Sequence, residues 1–195
     1  MKNPLRKRIP RELKGEFGKY LVVFLMMMLT IGFVSGFLVA DGSMLKAYND
    51  SFDKYNIENG NFRTAEKVYR SQWKDIEASG VKLYENFYIE EELDNGSTMR
   101  FFRNREQVNK VCLMEGEMPE DEDEIAIDRM YADNNSLKTG DIITRGKKFW
   151  RITGLVALSD YSALFQDNND SMFDSVKFGV GIVTPEGFEA LNQDK

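Results

Sequence analysis

Histidine is absent from the 195 residues and cysteine occurs once, as Cys112. Ser-His and Cys-His nucleophile pairs, histidine-ligated zinc and the commonest general base are therefore all missing. One thiol forms no intrachain disulfide, and Cys112 reads as a small buried hydrophobe rather than a reactive group. Carboxylates are plentiful: of 32 acids only Glu12 and Glu16 precede residue 40. No motif singles out a catalytic pair among them. The densest acidic run, residues 115–124, lacks the alternating acids and central glycine of a calcium loop, and reads as a solvated surface loop. Residues 140–147 are superficially like a phosphate-binding loop. They place five residues between the glycines instead of four, and Lys148 stands where Ser or Thr would meet magnesium, so a strand and a turn are expected. No catalytic, cofactor-binding or metal-ligating residue is assigned, and no enzyme activity is expected.

What the sequence specifies is position. Residues 20–40, YLVVFLMMMLTIGFVSGFLVA, carry no formal charge, and as a helix they reach roughly 30 Å, the thickness of a bilayer's hydrocarbon core. A transmembrane helix is predicted. A cleaved signal peptide has a shorter apolar core and a small-x-small site, and Leu38 before Ala40 is a poor one. Lys2, Arg6, Lys7, Arg8, Arg11, Lys14 and Lys19 outnumber Glu12 and Glu16, giving residues 1–40 a net +5; the chain totals -6, so the remainder carries -11. By the positive-inside rule residues 1–19 form a cytoplasmic basic juxtamembrane segment, and residues 41–195 lie outside the cytoplasm at the cell membrane. That acidic part, with its cations scattered, offers no nucleic-acid face.

Within the apolar run Gly32, Gly36 and Ala40 recur every fourth residue, a pattern that lets another helix approach closely, so packing against further membrane helices is expected. Before it, Leu13 and Phe17 lie four apart among charges, as in a short interfacial helix. That segment reads as an anchor on anionic headgroups or a cytoplasmic partner, or simply as a topology signal. Beyond the run, Met44, Leu45, Tyr48, Phe52 and Tyr55 keep a helical spacing of three and four. A stalk helix over residues 41–58 is predicted, ending before the turn signal Asn59-Gly60.

Residues 59–195 read as a mixed α/β domain, so the chain as a whole is α+β. Helical periodicity covers 66–78, with Val68, Tyr69, Trp73 and Ile76 on one face and Gly80 as the cap. Strands are predicted at 83–93 and 98–103, joined by the hairpin signal Asp94-Asn95-Gly96-Ser97. Further strands are expected at 124–127, 141–144, 148–153, 155–158 and 177–184, with a helical turn around Tyr131 and Ala132 and a polar, aromatic loop over 160–174. Thr184-Pro185-Glu186 starts a helix. That helix has barely formed at Lys195, so the domain is expected to be incomplete at its C-terminus.

These features resemble the N-terminal part of FtsX-like ABC transporter permeases, whose external portion is a MacB-type periplasmic core domain. The resemblance is carried by Arg11-Glu-Leu-Lys14 and Gly18-Lys-Tyr20 before the apolar run. It continues in Leu113-Met-Glu-Gly-Glu-Met-Pro119, Glu124-Ile-Ala-Ile-Asp128, Tyr131-Ala132, Asn135-Ser-Leu-Lys-Thr-Gly-Asp141 and Phe149-Trp-Arg-Ile-Thr-Gly154. Ala157-Leu-Ser-Asp-Tyr-Ser-Ala-Leu-Phe165 is similar to the variety found in Gram-positive anaerobes. The resemblance implies a permease subunit with further membrane helices, served by a separate cytoplasmic ABC ATPase that does the chemistry. The subunit would drive export or pass ATP-driven motion to external partners. A stand-alone anchored domain that binds an external ligand or an adhesion partner is the alternative, and an anchored enzyme the third reading.

Overall fold

The computed structural model describes residues 5–64, 68–167 and 169–193. The chain divides into two compact units, Met1–Asp50 and Ser51–Lys195.

The first unit contains helix α1, Leu5–Gly15, and most of helix α2, Phe17–Tyr55. Helix α2 has 39 residues, none of them buried, and spans roughly 58 Å at the helical rise. Among the described residues it is the one helix long and apolar enough to cross a membrane. Its outward-facing Leu, Val, Phe and Met side chains suit lipid. Within the apolar run the Thr30 hydroxyl donates to the Met26 carbonyl at 2.8 Å, which satisfies it inside the helix.

The second unit is a seven-stranded mixed sheet with short helices. Its strands are β1 Tyr88–Glu92, β2 Thr98–Arg103, β3 Cys112–Gly116, β4 Glu124–Asp128, β5 Ile142–Arg145, β6 Lys148–Ala157 and β7 Phe178–Val183. The order is β1-β2-β7-β4-β6-β3, with β5 also paired to β6. Central strands β4 and β7 are buried at every position, which explains why 125–127 and 178–183 are continuous runs without a polar residue rather than alternating ones. Helix α4, Arg129–Asn134, buries Tyr131 and Ala132 against the sheet, and α5, Pro185–Gln193, adds Phe188 and Leu191. Gly179 leaves room for the Tyr131 ring of this layer and Gly181 for the Ile125 side chain of β4, since a Cβ at either would strike them.

The hairpin at residues 94–97 forms as predicted, with Gly96 at φ 79°. Thr184 accepts the Gly187 amide as the α5 cap. Three expectations are corrected. Gly154 does not divide two strands but lies inside β6, where the carbonyls of Glu115 and Glu117 approach too closely for a Cβ. The strand predicted at 83–93 forms only over β1, and the helix predicted at 66–78 is α3, Arg70–Glu77, with no buried residue; residues 65–67 lie outside the described residues. Strand β3 was not expected, because an edge strand with four exposed positions has no apolar alternation to reveal it.

Candidate functional site

Helix α2 ends at Tyr55, and the residues that finish it are the ones the sheet unit grips. Asn56 follows in a left-handed conformation, φ 47°, and the Ile57 amide reaches back to the Phe52 carbonyl at 3.1 Å. That is the six-to-one bond of a Schellman cap, with asparagine in the position glycine usually takes.

The grip comes from the loop between β2 and β3. The Lys110 amide donates to the Tyr55 carbonyl at 2.9 Å and the Asn109 amide to the Asn56 carbonyl at 3.0 Å, so carbonyls that a helix end leaves orphaned are satisfied by the sheet unit. The Asn56 side-chain amide donates to the Gln107 carbonyl. Asn109, 1 % exposed, engages Glu58 twice: its Oδ1 accepts the Glu58 amide at 2.9 Å and its Nδ2 donates to Glu58 Oε2 at 2.7 Å. The Tyr55 hydroxyl donates to Cys112 Sγ at 2.9 Å, at the start of β3.

The same loop also holds a second element. Arg105 Nη1 donates to Asp160 Oδ2 at 2.7 Å, both side chains about nine-tenths buried, with the guanidinium 4.3 Å from the Phe102 ring centre. Arg105 Nε, Arg105 Nη2 and Asp160 Oδ1 are buried without a hydrogen-bond partner among the described residues. Asp160 lies near the start of the long stretch between β6 and β7. Arg100 on β2 fastens the stretch further along, donating to the Tyr161 hydroxyl at 2.7 Å and the Gln166 carbonyl at 2.8 Å while paired with Glu90. Burial opposes the charge on Arg100, but the Tyr161 and Glu90 contacts outweigh it and the guanidinium is held firmly protonated. Burial in turn raises the Tyr161 phenol. Leu164 is fully buried, whereas Phe165, Met172 and Phe173 stay exposed, with Phe165 and Phe173 in edge-to-face contact at 5.9 Å. Ser159 Oγ lies 3.5 Å from Asn109 Oδ1, where the helix grip and this stretch meet.

The residues predicted from sequence are distributed as follows. Of the seam, Met44, Leu45 and Tyr48 are exposed, Phe52 is 39 % exposed, and Tyr55 is half-buried. Gly32 and Gly36 are open, with nothing within 4 Å of a Cβ at either, and Ala40 is exposed beside them. Arg8, Arg11, Lys14 and Lys19 are exposed; the side chains of Arg6 and Lys7 lie outside the described residues. Asn56, Asn109, Arg100, Arg105 and Asp160 were not singled out by sequence reasoning. Asn56 alone left a signal, an asparagine directly after the last periodic residue of a helix.

The acidic run at 115–124 is corrected in part. Glu115, Glu117, Glu120, Asp121, Glu122 and Asp123 are exposed as expected, but Glu124 is buried; its carboxylate accepts the amides of Glu120 and Asp121 and pairs with Arg151, which pins the C-terminal end of the run. No group of three metal-ligating His, Cys, Asp or Glu side chains occurs among the described residues. The hydrogen bonds described above join the end of helix α2 to the β2–β3 loop, and β2 with that loop to the stretch between β6 and β7. No protein-family model, curated protein or solved structure matches the chain.

Proposed function

We propose that this chain is the N-terminal part of an FtsX-like permease subunit whose sheet unit is a MacB-type external core domain. It couples ATP hydrolysis by a separate cytoplasmic ATPase to movement of that domain, for export or for transmitting force. Helix α2 packs through Gly32, Gly36 and Ala40 on further membrane helices of the same or a second permease chain. Residues 1–19 face the cytoplasm and residues 41–195 the outside, and the chain itself catalyses nothing.

One observation carries this reading. Helix α2 runs without a break from the apolar stretch to Tyr55, and its last residues are hydrogen-bonded into the sheet unit through Asn56, Gln107, Asn109 and Lys110. A tether needs only a flexible connector, whereas a lever needs a stiff element fixed at its working end.

The test is a proline or di-glycine insertion beside Gly42 in the full chain. Affinity purification of the intact chain identifies the ATPase; hydrogen exchange over residues 51–195 is then compared with and without ATP and vanadate. The insertion is expected to leave co-purification intact and remove the nucleotide-dependent change. An unaltered change overturns the lever. The exposed Phe165, Met172 and Phe173 favour the alternative of an anchored ligand-binding domain. Three or more further apolar runs encoded downstream of Lys195 support the permease, and an immediate stop codon supports the alternative.

A further inference from the structure

Helix α1 forms where its own sequence gives it little support. It has 11 residues with Pro10 inside, below the length of about 12 at which isolated helices persist in water. Pro10 also lacks the amide hydrogen that a helix interior uses. None of its described side chains is buried: Arg8, Pro10, Arg11, Glu12 and Lys14 are all exposed. The Arg8–Glu12 pair at 3.0 Å is an exposed ion pair of the kind that adds little.

Two features identify what supplies the missing support. Leu5, Ile9 and Leu13 recur every fourth residue of the sequence, and Phe17 at the start of α2 continues the spacing, a pattern that on a helix gives one apolar ridge. The sequence of α1 also carries Arg6, Lys7, Arg8, Arg11 and Lys14 against the single acid Glu12. Only Glu16 separates α1 from α2, so α1 ends beside the start of the helix that carries the apolar run.

We infer that α1 is a binding element for anionic phospholipid headgroups, lying in the interface with its apolar ridge toward the acyl chains and its cations among the phosphates. The inference rests on reading α2 as membrane-spanning. The surface takes the place of tertiary packing, and α1 folds as it binds.

The full chain in nanodiscs of phosphatidylcholine, with and without phosphatidylglycerol, tests this by hydrogen exchange. Amides of residues 5–15 are expected to exchange at least about tenfold more slowly when phosphatidylglycerol is present, with the difference lost in high salt. Replacing Arg6, Lys7, Arg8, Arg11 and Lys14 together by Gln should remove the difference between compositions, and Ile9→Asp should remove protection in both. Equal protection in the two lipids overturns anionic recognition. Absence of protection in both overturns the lipid surface itself and leaves α1 to a protein partner. Residues 20–40 are read in the same samples: loss of their protection would sink the membrane-spanning reading, and not the headgroup contact alone.

Discussion

The backbone amide of Asn109 donates to the carbonyl of Asn56 at 3.0 Å, and both asparagines hold left-handed backbones, φ 48° and 47°. Asparagine is among the few residues with a side chain that tolerate this region. Two such residues 53 positions apart thus meet where the helix ends, and the buried Asn109 side chain completes the contact through Glu58.

Asn109→Ala should therefore destabilise the sheet unit by about 2–3 kcal/mol, since the Glu58 partners lose their bonds and a β-carbon without a local hydrogen bond must hold a positive φ. Asn109→Gly relieves the backbone part alone and should fall between wild type and alanine. Thermal unfolding of the full chain in detergent checks both, and a loss within about 0.5 kcal/mol for alanine would show that the grip is dispensable.

Arg105 and Asp160 make a different forecast. Removing either partner strands the other charge in the interior, so Arg105→Ala or Asp160→Ala should cost about 3–5 kcal/mol. Three atoms of this pair lack partners, so the paired arrangement is itself poorly compensated. The double variant Arg105→Met with Asp160→Leu should come within about 1 kcal/mol of wild type or exceed it. A denaturant double-mutant cycle reads the comparison, and a double variant as unstable as either single one would contradict it.

How far the sequence foretold this arrangement depends on range. Signals that act within a few residues were legible: the apolar run of 20–40, the Asn95-Gly96 turn, the Thr184 cap and the core strands around Ile125 and Val180. Asn109 was not, because its role is set by a positive φ and by Glu58, a partner 51 positions away that local spacing does not reveal. Arg105 and Asp160 are ordinary surface residues by type, and only the fold brings them together and buries them. Gly154 looked like a break because glycine often is one; the close carbonyls of Glu115 and Glu117 give it another reason to be there.

Glu124 gives the sheet unit an acid-sensitive joint. The Glu120 amide lowers its carboxyl below the ordinary 4.5, against the effect of burial, with the Asp121 amide and Arg151 assisting. A folded value below the unfolded one means that its stabilisation is complete above pH 4.5 and disappears as pH falls through the lower folded value. Glu124→Gln should be less stable than wild type at neutral pH, with the gap closing below pH 4.5. Arg151, more than half exposed, should matter less, so Arg151→Gln should leave most of that pH dependence in place. Urea midpoints across the acid range test the pair, and a constant gap for Glu124→Gln would refute the assignment.

Asp128 titrates with the opposite sign. Its carboxylate caps α4 by accepting the Met130 and Tyr131 amides at 2.8 and 3.2 Å, yet burial dominates and raises its pKa in spite of those bonds. A raised folded value favours the protonated form in the native state, so its contribution is full below the unfolded pKa and is lost as pH rises through the folded one. At neutral pH the cap is therefore retained while the charge is a liability. Asparagine offers the same acceptor without the charge and is as good a cap. Asp128→Asn should leave stability at pH 7 unchanged or raise it by up to about 1 kcal/mol, while Asp128→Ala, lacking the acceptor, should lose about 1 kcal/mol or more. If asparagine proves as damaging as alanine, the negative charge at the helix start outweighs its burial, and the electrostatic order argued for this corner of the sheet is reversed.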